Sequence, residues 1–362
     1  MRHALILAGG YGARLWPYST AALPKQLVPL LQGRSLLDIA VARATSVVPV
    51  SQVWLGAGEQ LRSAVTAVEG LQPDRLIVEP SGRDTLAAVA LGCAVIAEQD
   101  PDAVVAVLTA DHLIEPLSSF AATLDAAFAL AAARADTLVT FGVVPDSAAT
   151  GFGYLELGAP LEGGAHVVSS FREKPTLAVA ADFLAAGPDR YLWNSGMFVW
   201  QAATLLRAVD AFVPESAPLL RAMGAAYGTP AWDGLARDAW PTLARVSIDY
   251  GVMEPASVAP DFTVAALPLA ARWLDVGSWP AYGEALDADA DGNRVGAART
   301  VLHASRDNVV ASSDPEHLVT LVGCEGLVVV HTPAATLVMP AAAAQRVKEL
   351  HERVRAQAPE LA

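Results

Sequence analysis

The sequence predicts an α/β protein: a Rossmann-like, open, mainly parallel sheet with helices on both faces, followed by a small C-terminal β-rich domain of short β-helix character. Three observations carry this. Short apolar runs alternate with longer helical patterns through the first two thirds of the chain, which is how βαβ units read. The first of these runs passes directly into a cluster of glycines. After about Asp287 the rhythm changes to short β-prone runs separated by polar turns.

Taken in order, strands are expected at Ala4–Leu7, Val53–Gly56, Arg75–Val78, Val104–Thr109 and Leu138–Val143. Helices are expected between them at Leu36–Thr45, Glu59–Val68, Thr85–Glu98 and Phe120–Ala133. The last is Ala-rich and apolar on most faces, so it should pack against the sheet rather than stand in water. From Gly151 to Lys174 the pattern becomes Gly-Phe-Gly-Tyr, a Pro/Gly-rich turn region and the alternating stretch His166–Phe171, which reads as a β excursion from the main sheet. The tail offers β-prone runs at Val309–Ala311, Leu318–Leu321, Leu327–Val330 and Thr336–Val338, then a helix over Ala341–Arg355. No fixed-period repeat is visible, which argues against a long solenoid. The expected division is 1–286 for the main domain and 287–362 for the tail.

Composition excludes several classes of function. Lys and Arg number 24 against 38 Asp and Glu, for a net charge of −14 over 362 residues. With no basic run anywhere, the chain is not expected to bind nucleic acid by neutralising phosphates. An anionic substrate must instead meet a few placed cations. Cys93 and Cys324 lie far apart without zinc or C-x-x-C spacing and read as core residues. Apolar stretches are broken by charge before they reach membrane-spanning length, so no membrane segment is expected. The apolar run at the start is too short for a signal peptide, which makes the cytoplasm the expected compartment.

The strongest local signal is Leu5-Ile6-Leu7-Ala8-Gly9-Gly10-Tyr11-Gly12-Ala13-Arg14-Leu15-Trp16-Pro17, followed by Pro24-Lys25-Gln26. A strand running into such a turn lets the backbone approach a phosphate or base closely, and its N–H groups can form an anion-binding nest. The pattern lacks the Gly-Lys-Ser/Thr ending of a Walker loop, and Leu15 stands where the dinucleotide fingerprint needs a glycine. Arg14 and Lys25 set two cations beside the loop, suited to a triphosphate and a departing pyrophosphate. On the residues alone, a tight turn followed by surface cations fits equally well.

The stretch Leu7 to Gln26 resembles the signature of the sugar-1-phosphate nucleotidylyltransferases. Arg14-Leu15-Trp16-Pro17 with Pro24-Lys25-Gln26 is similar to their mannose-1-phosphate guanylyltransferase branch. Matching segments continue in order through Glu79–Thr85, Ala110-Asp111-His112, Thr150–Tyr154, Glu173-Lys174-Pro175, Trp193–Phe198, Ser247–Tyr250 and Asp275–Trp279.

The resemblance implies that Asp111 and Asp275 hold Mg2+, a cation that takes one or two carboxylates plus substrate phosphates and water. Asp111 follows an apolar strand, and so would sit at the carboxyl end of a sheet strand, where open α/β folds bind ligands. By sequence alone either Asp could equally start a turn. His112 is expected to orient the loop rather than to bind metal. Leu7, Ala8, Gly9, Gly10 and Gly12 are nucleotide-binding candidates. Glu79, Pro80, Gly82 and Arg83 are assigned to the guanine, in front of a helix whose first turn offers free N–H groups. Here Asp84 stands where the family usually has Asn, and Leu86-Ala87 replaces Ala-Pro. An ordinary loop with Asp84 or Thr85 capping the helix is the alternative.

Gly153, Tyr154, Glu173, Lys174 and Asn194 are the sugar-phosphate candidates: close-approach backbone, a hydroxyl acceptor, a cation for the phosphate, and a donor-acceptor amide. A β-bulge and a solvated salt bridge are the alternatives for the glycines and Glu173. Ser247–Tyr250 resembles another substrate-side motif, although Pro255 replaces a common Lys after Glu254.

The resemblance therefore implies transfer of GMP from GTP to α-D-mannose 1-phosphate, giving GDP-mannose and pyrophosphate by direct in-line attack. Arg14, Lys25, Asp111 and Asp275 would be the catalytic set. The same chemistry on another sugar 1-phosphate or nucleotide, a non-catalytic nucleotide-sugar binder and a dinucleotide-dependent oxidoreductase are the alternatives. The resemblance and the apolar tail point to a homodimer. No length remains after the tail for an additional isomerase domain, so a bifunctional enzyme is not expected.

Overall fold

The computed structural model describes residues 1–10, 12–31, 33–62, 68 and 70–362. Half of the expected helix Glu59–Val68, residues 63–67, lies outside the described residues; a 3-10 turn at Glu59–Leu61 is described. Contacts gather the chain into two compact units. The first comprises Met1–Gly9, Val41–Thr109 and Glu115–Ala271, and the second Gly10–Ala40, Ala110–Ile114 and Arg272–Ala362.

The strands up to Asp275 are β1 (Arg2–Leu7), β2 (Val53–Gly58), β3 (Leu76–Glu79), β4 (Val104–Thr109), β5 (His112–Glu115), β6 (Thr137–Val143), β7 (Tyr154–Pro160), β8 (His166–Arg172), β9 (Tyr191–Gln201), β10 (Thr263–Pro268) and β11 (Arg272–Asp275). In the first unit they form a nine-stranded sheet in the order β3-β2-β1-β4-β9-β6-β10-β8-β7. The segment β3-β2-β1-β4 is parallel throughout, with Ala4 beside Val53 and Ala106. Such strands are covered on both faces, so their side chains are apolar without alternation. Thus Leu5, Val105 and Val107 join a core with Leu86, Val89 and Ile96 of the helix Asp84–Gln99. Their neighbours Ala4, Ile6, Ala106 and Leu108 are equally buried.

The expected β excursion is corrected. β7 and β8 belong to the main sheet, where β8 runs antiparallel to β10, and β7 pairs with both β8 and β9. The reason is a pairing across long sequence separation. β9 and β10 come from segments not read as strands, and they carry the buried edge on which the hairpin closes.

In the second unit, β5 pairs with β11. The tail strands are β12 (Arg294–Gly296), β13 (Arg299–His303), β14 (Val309–Ser312), β15 (Leu318–Val322), β16 (Leu327–His331) and β17 (Thr336–Pro340). β12, β14 and β16 stack in parallel, β13 and β15 do the same, and β17 closes antiparallel on β16. This is a short β-helix in which Val310, Val319, Leu321 and Val329 fill the interior. A ladder of buried amides holds its corners: Asn308 Nδ2 donates to Asn293 Oδ1 (2.9 Å), and the Leu327 N–H donates to Asn308 Oδ1 (3.0 Å). Successive rungs differ in length, so the sequence shows no single period. The final helix, Val347–Gln357, follows a 3-10 segment Ala341–Arg346. Leu15, Trp16, Val28 and Leu36 share one core with Val309, Val328, Leu337, Met339 and Val347 of the tail.

Candidate active site

Two groups of polar side chains stand out, one in each unit. In the second, Asp111 leads into β5 and Asp275 closes β11. Pairing of these strands, extended by a hydrogen bond from the Val276 N–H to the Asp111 carbonyl (3.0 Å), brings the two carboxylates together. Ligand-capable atoms of Asp111, His112 and Asp275 lie within 4.8 Å of one another. The Lys25 ammonium donates to Asp111 Oδ2 at 2.5 Å, and its side chain is almost wholly buried. Burial works against ionisation of Asp111, but the Lys25 ammonium and His112 beside it hold its pKa below the usual carboxylate range. Asp275 shifts the other way: burial first, then the Asp111 charge, push it up against the pull of Lys25 and Arg14. Two half-buried carboxylates this close repel one another, which favours positive charge beside them.

His112 has a separate task. The Trp273 indole N–H, which can only donate, points at His112 Nδ1 (3.1 Å), so the neutral ring carries its proton on Nε2. A ring fixed in that tautomer is a donor, which leaves the two carboxylates as the groups that could hold a metal. Their hard oxygen donors fit Mg2+.

Local geometry explains why the signature turn has its sequence. Gly12 sits in the left-handed region (φ 70°) before the 3-10 turn Ala13–Leu15, and a Cβ added there would lie 2.5–2.6 Å from Lys25 Cβ, Cγ and Cδ. The lysine stem is therefore laid over Gly12. Ser19 Oγ donates to the Gly12 carbonyl (2.6 Å) and Gln26 Nε2 to the Gly10 carbonyl (3.1 Å), closing the loop on itself. The Arg14 guanidinium lies by Gly277, where an added Cβ would come within 3.2 Å of it and 3.1 Å of Asp275 Oδ1. Lys25, Asp111, Asp275 and Arg14 are thus gathered in one unit.

The other candidates fall in the first unit. Leu7–Gly9 and Glu79–Arg83 leave the carboxyl ends of β1 and β3, with β2 between them. Such strand ends bind ligands in open α/β sheets. Neither Gly9 nor Gly82 has a positive φ, and a Cβ on either meets nothing within 4 Å, so the space above both is open. Burial pushes the Glu79 carboxyl up to about 7. Arg83 donates to the Leu243 carbonyl (2.9 Å), and the Trp240 indole to the Ser81 carbonyl (2.7 Å), which pins the loop. The expected row of free N–H groups at the next helix is corrected. Thr85 N–H is capped by Asp84 Oδ1 (2.9 Å) and Leu86 N–H by the Val246 carbonyl (3.2 Å). Asp84 has φ 63°, a conformation that Asp and Asn tolerate better than other residues, so the exchange of one for the other keeps the backbone.

The sugar-phosphate candidates fall into two hydrogen-bonded groups. Lys174 Nζ donates to Glu173 Oε1. Asn194 Nδ2 donates to Asp249 Oδ1 (2.8 Å), and Thr140 Oγ1 donates to Asn194 Oδ1 (2.7 Å), which fixes the amide's orientation. Gly153 permits the arrangement, because a Cβ there would lie 2.4 Å from Glu173 Oε2. Tyr154 contributes backbone only: it is 1% exposed, with its hydroxyl given to the Ala149 carbonyl (3.0 Å). Asp249, Thr140, Trp273 and Gly277 went unassigned in the sequence. Asp249 and Gly277 lie inside recognised motifs, whereas nothing local marks Thr140 or Trp273. Burial, then the Glu173 charge, pushes Asp249 up to about 7.

Comparison with known proteins places these features. A family model described as Nucleotidyl transferase matches residues 3–292, and one described as MannoseP isomerase/GMP-like beta-helix domain matches 298–354. The chain is 34% identical to Xanthan biosynthesis protein XanB of Xanthomonas campestris pv. campestris (strain B100), over 97% of this chain and 73% of that protein. It is 33% identical to mannose-1-phosphate guanylyltransferase of Escherichia coli (strain K12), over 98% of this chain and 73% of that one. A crystal structure described as mannose-1-phosphate geranyltransferase from Thermus thermophilus superposes with a TM-score of 0.86 at 31% identity, covering 98% of this chain and 99% of that chain. Among the described residues, no helix is long and apolar enough to cross a membrane.

Proposed function

The chain belongs to the nucleotidyl transferase family, and from that membership we propose that it transfers GMP from GTP to α-D-mannose 1-phosphate, forming GDP-mannose and pyrophosphate, with Mg2+ as cofactor. The observation that carries the reading is the meeting of Asp111 and Asp275 with Lys25 and Arg14 in one compact unit. The choice of substrates is supported by the likeness to relatives named mannose-1-phosphate guanylyltransferase.

The sugar phosphate is already an anionic nucleophile, so in-line attack needs no general base and no covalent intermediate. Catalysis then reduces to positioning and charge neutralisation. Asp111 and Asp275 would hold Mg2+, which when bound polarises phosphate oxygens and stabilises charge developing on them. Lys25 and Arg14 offset the charge that grows on pyrophosphate. The glycine turn gives the triphosphate close backbone approach at Gly9, Gly10 and Gly12, while Leu7 and Ala8 lead into it from the strand. Glu79 and Arg83, with the backbone of Pro80 and Gly82, read the base.

On the sugar side, Lys174 neutralises the attacking phosphate, and Glu173 with Asn194 meets the hydroxyls over the backbone of Gly153 and Tyr154. We assign residues 1–286 to the transferase and 287–362 to the β-rich tail. The same reading makes the enzyme a cytoplasmic homodimer, for which the exposed Val322 and Val338 of the tail are the support.

Pyrophosphate release with Mg2+ and mannose 1-phosphate, run in parallel with GTP, ATP, UTP and dTTP, tests the proposal. The expected result is release with GTP that EDTA abolishes. Release with another nucleotide overturns the base assignment around Asp84, and silence with all four overturns the substrate assignment.

A further inference from the structure

Two consecutive segments of the C-terminal tail contact the turn that carries Arg14. The 3-10 turn that carries Arg14 packs against the segment Ala341–Arg346 and the helix Val347–Gln357. Within that packing, Arg14 Nη1 donates to Gln345 Oε1 (3.2 Å), and the indole of the nearby Trp16 donates to the Leu361 carbonyl (2.8 Å). On its far side the guanidinium borders Gly277 and, beyond it, Asp275.

An arginine beside a carboxylate pairs with it unless something else holds it. Among the described residues Arg14 makes no ion pair with Asp275 within 4.0 Å. Its side-chain hydrogen bond goes instead to the exposed Gln345 Oε1. A neutral amide suits this task, because it orients the guanidinium without cancelling its charge.

We infer that Gln345 is a positioning residue: it tethers the Arg14 guanidinium away from Asp275 and keeps its charge available to the phosphates. The inference rests on the role given to Arg14 in the proposed reaction. It gives the β-rich tail a part in the chemistry. Without Gln345, Arg14 falls back on Asp275, which costs both a phosphate contact and a metal-binding carboxylate.

The test is a double-mutant cycle of Gln345→Met and Arg14→Ala, read by calorimetric affinity for inorganic pyrophosphate with Mg2+, by turnover and by melting temperature. Methionine keeps the length of the side chain and removes the acceptor. Gln345→Met should weaken pyrophosphate binding and lower kcat about tenfold, in line with the loss of one charge-assisted hydrogen bond. The KM for the sugar phosphate and the melting temperature should stay at wild-type values. In the Arg14→Ala background the same substitution should change nothing further.

Equal losses in both backgrounds would mean a structural role and overturn the inference, as would an unchanged Gln345→Met protein or equal pyrophosphate affinity in the wild type and Arg14→Ala. A wild type that releases no pyrophosphate from GTP and mannose 1-phosphate refutes the proposed substrates, while the pyrophosphate affinities still decide on Gln345.

Discussion

Substituting Gly12 by alanine tests the central geometry of the site, because it acts on Lys25 without touching it chemically. Two costs are expected. The first is backbone strain: an L-residue at φ 70° is disfavoured by about 1–2 kcal/mol. For a chain of 362 residues, at an unfolding entropy of about 2.1 cal/mol/K per residue, that lowers the melting temperature by roughly 1–3 °C. The second falls on catalysis. The new Cβ would sit 2.5–2.6 Å from three carbons of the Lys25 stem, and the stem, only 8% exposed, has little room to retreat.

The ammonium must then leave Asp111. Losing a hydrogen bond between charged groups is worth about 1.5–3 kcal/mol, so turnover should fall roughly ten- to hundredfold. Gly9→Ala is the control for strain, since a Cβ there meets nothing within 4 Å and the backbone needs no glycine. It should melt like the wild type. Differential scanning calorimetry on both variants and pyrophosphate release on Gly12→Ala separate the two costs. A Gly12→Ala protein with wild-type melting and turnover would refute the claim that this glycine seats Lys25.

Two further outcomes follow from the same geometry. Asp111→Ala and Asp275→Ala should each lose most turnover while far-UV circular dichroism stays native, and a calorimetric titration should show weakened Mg2+ binding; wild-type kinetics in both would remove the carboxylate pair from the mechanism. Asp249 is pushed up to about 7 by burial and the Glu173 charge. The native state therefore keeps a proton that the unfolded chain releases near the ordinary aspartate pKa, so this group's contribution to stability falls as pH rises from about 4 to about 7. Asp249→Asn should flatten that decline in melting temperature against pH and raise the KM for the sugar phosphate, because Asn194 loses its charged partner. A melting profile with the wild-type slope would show that Asp249 titrates normally.

Much of the fold was legible because its signals are local. The observed strands Arg2–Leu7, Val104–Thr109 and Thr137–Val143 are buried on both faces along most of their length, so each carries a short, mainly apolar run. The helix Leu36–Thr45 has the bounds its pattern predicts. The β-prone runs of the tail are likewise strands, from Val309–Ser312 to Thr336–Pro340. Where pairing depends on distant partners the sequence was mute. The hairpin of β7 and β8 is polar enough to read as an excursion, and it joins the sheet only because β9 and β10 come to lie beside it.

The site divides along the same line. Arg14, Lys25, Asp111, Asp275, Glu173, Lys174 and Asn194 were singled out by the ordered motifs that resemble the nucleotidylyltransferases, because on residue types and spacings alone a turn, a cap or a solvated salt bridge fits them as well. Sequence did not reveal Trp273, which sets the tautomer of His112, or Thr140, which orients the Asn194 amide. Nor did it reveal that Tyr154 is buried, or that the Thr85 and Leu86 N–H groups in the first turn of the helix beginning at Asp84 are already taken.

By itself, then, the sequence determined the class of fold and most of its apolar strands and helices, because these follow from neighbours close along the chain, and through its motifs it named candidate side chains. Only the tertiary structure decided which of those side chains meet: Asp111 with Asp275 through the pairing of β5 and β11, and Arg14 with Gln345 through a core shared by the signature turn and the tail. Such contacts are fixed by the packing of surfaces from distant parts of the chain, and no periodicity or local motif encodes them.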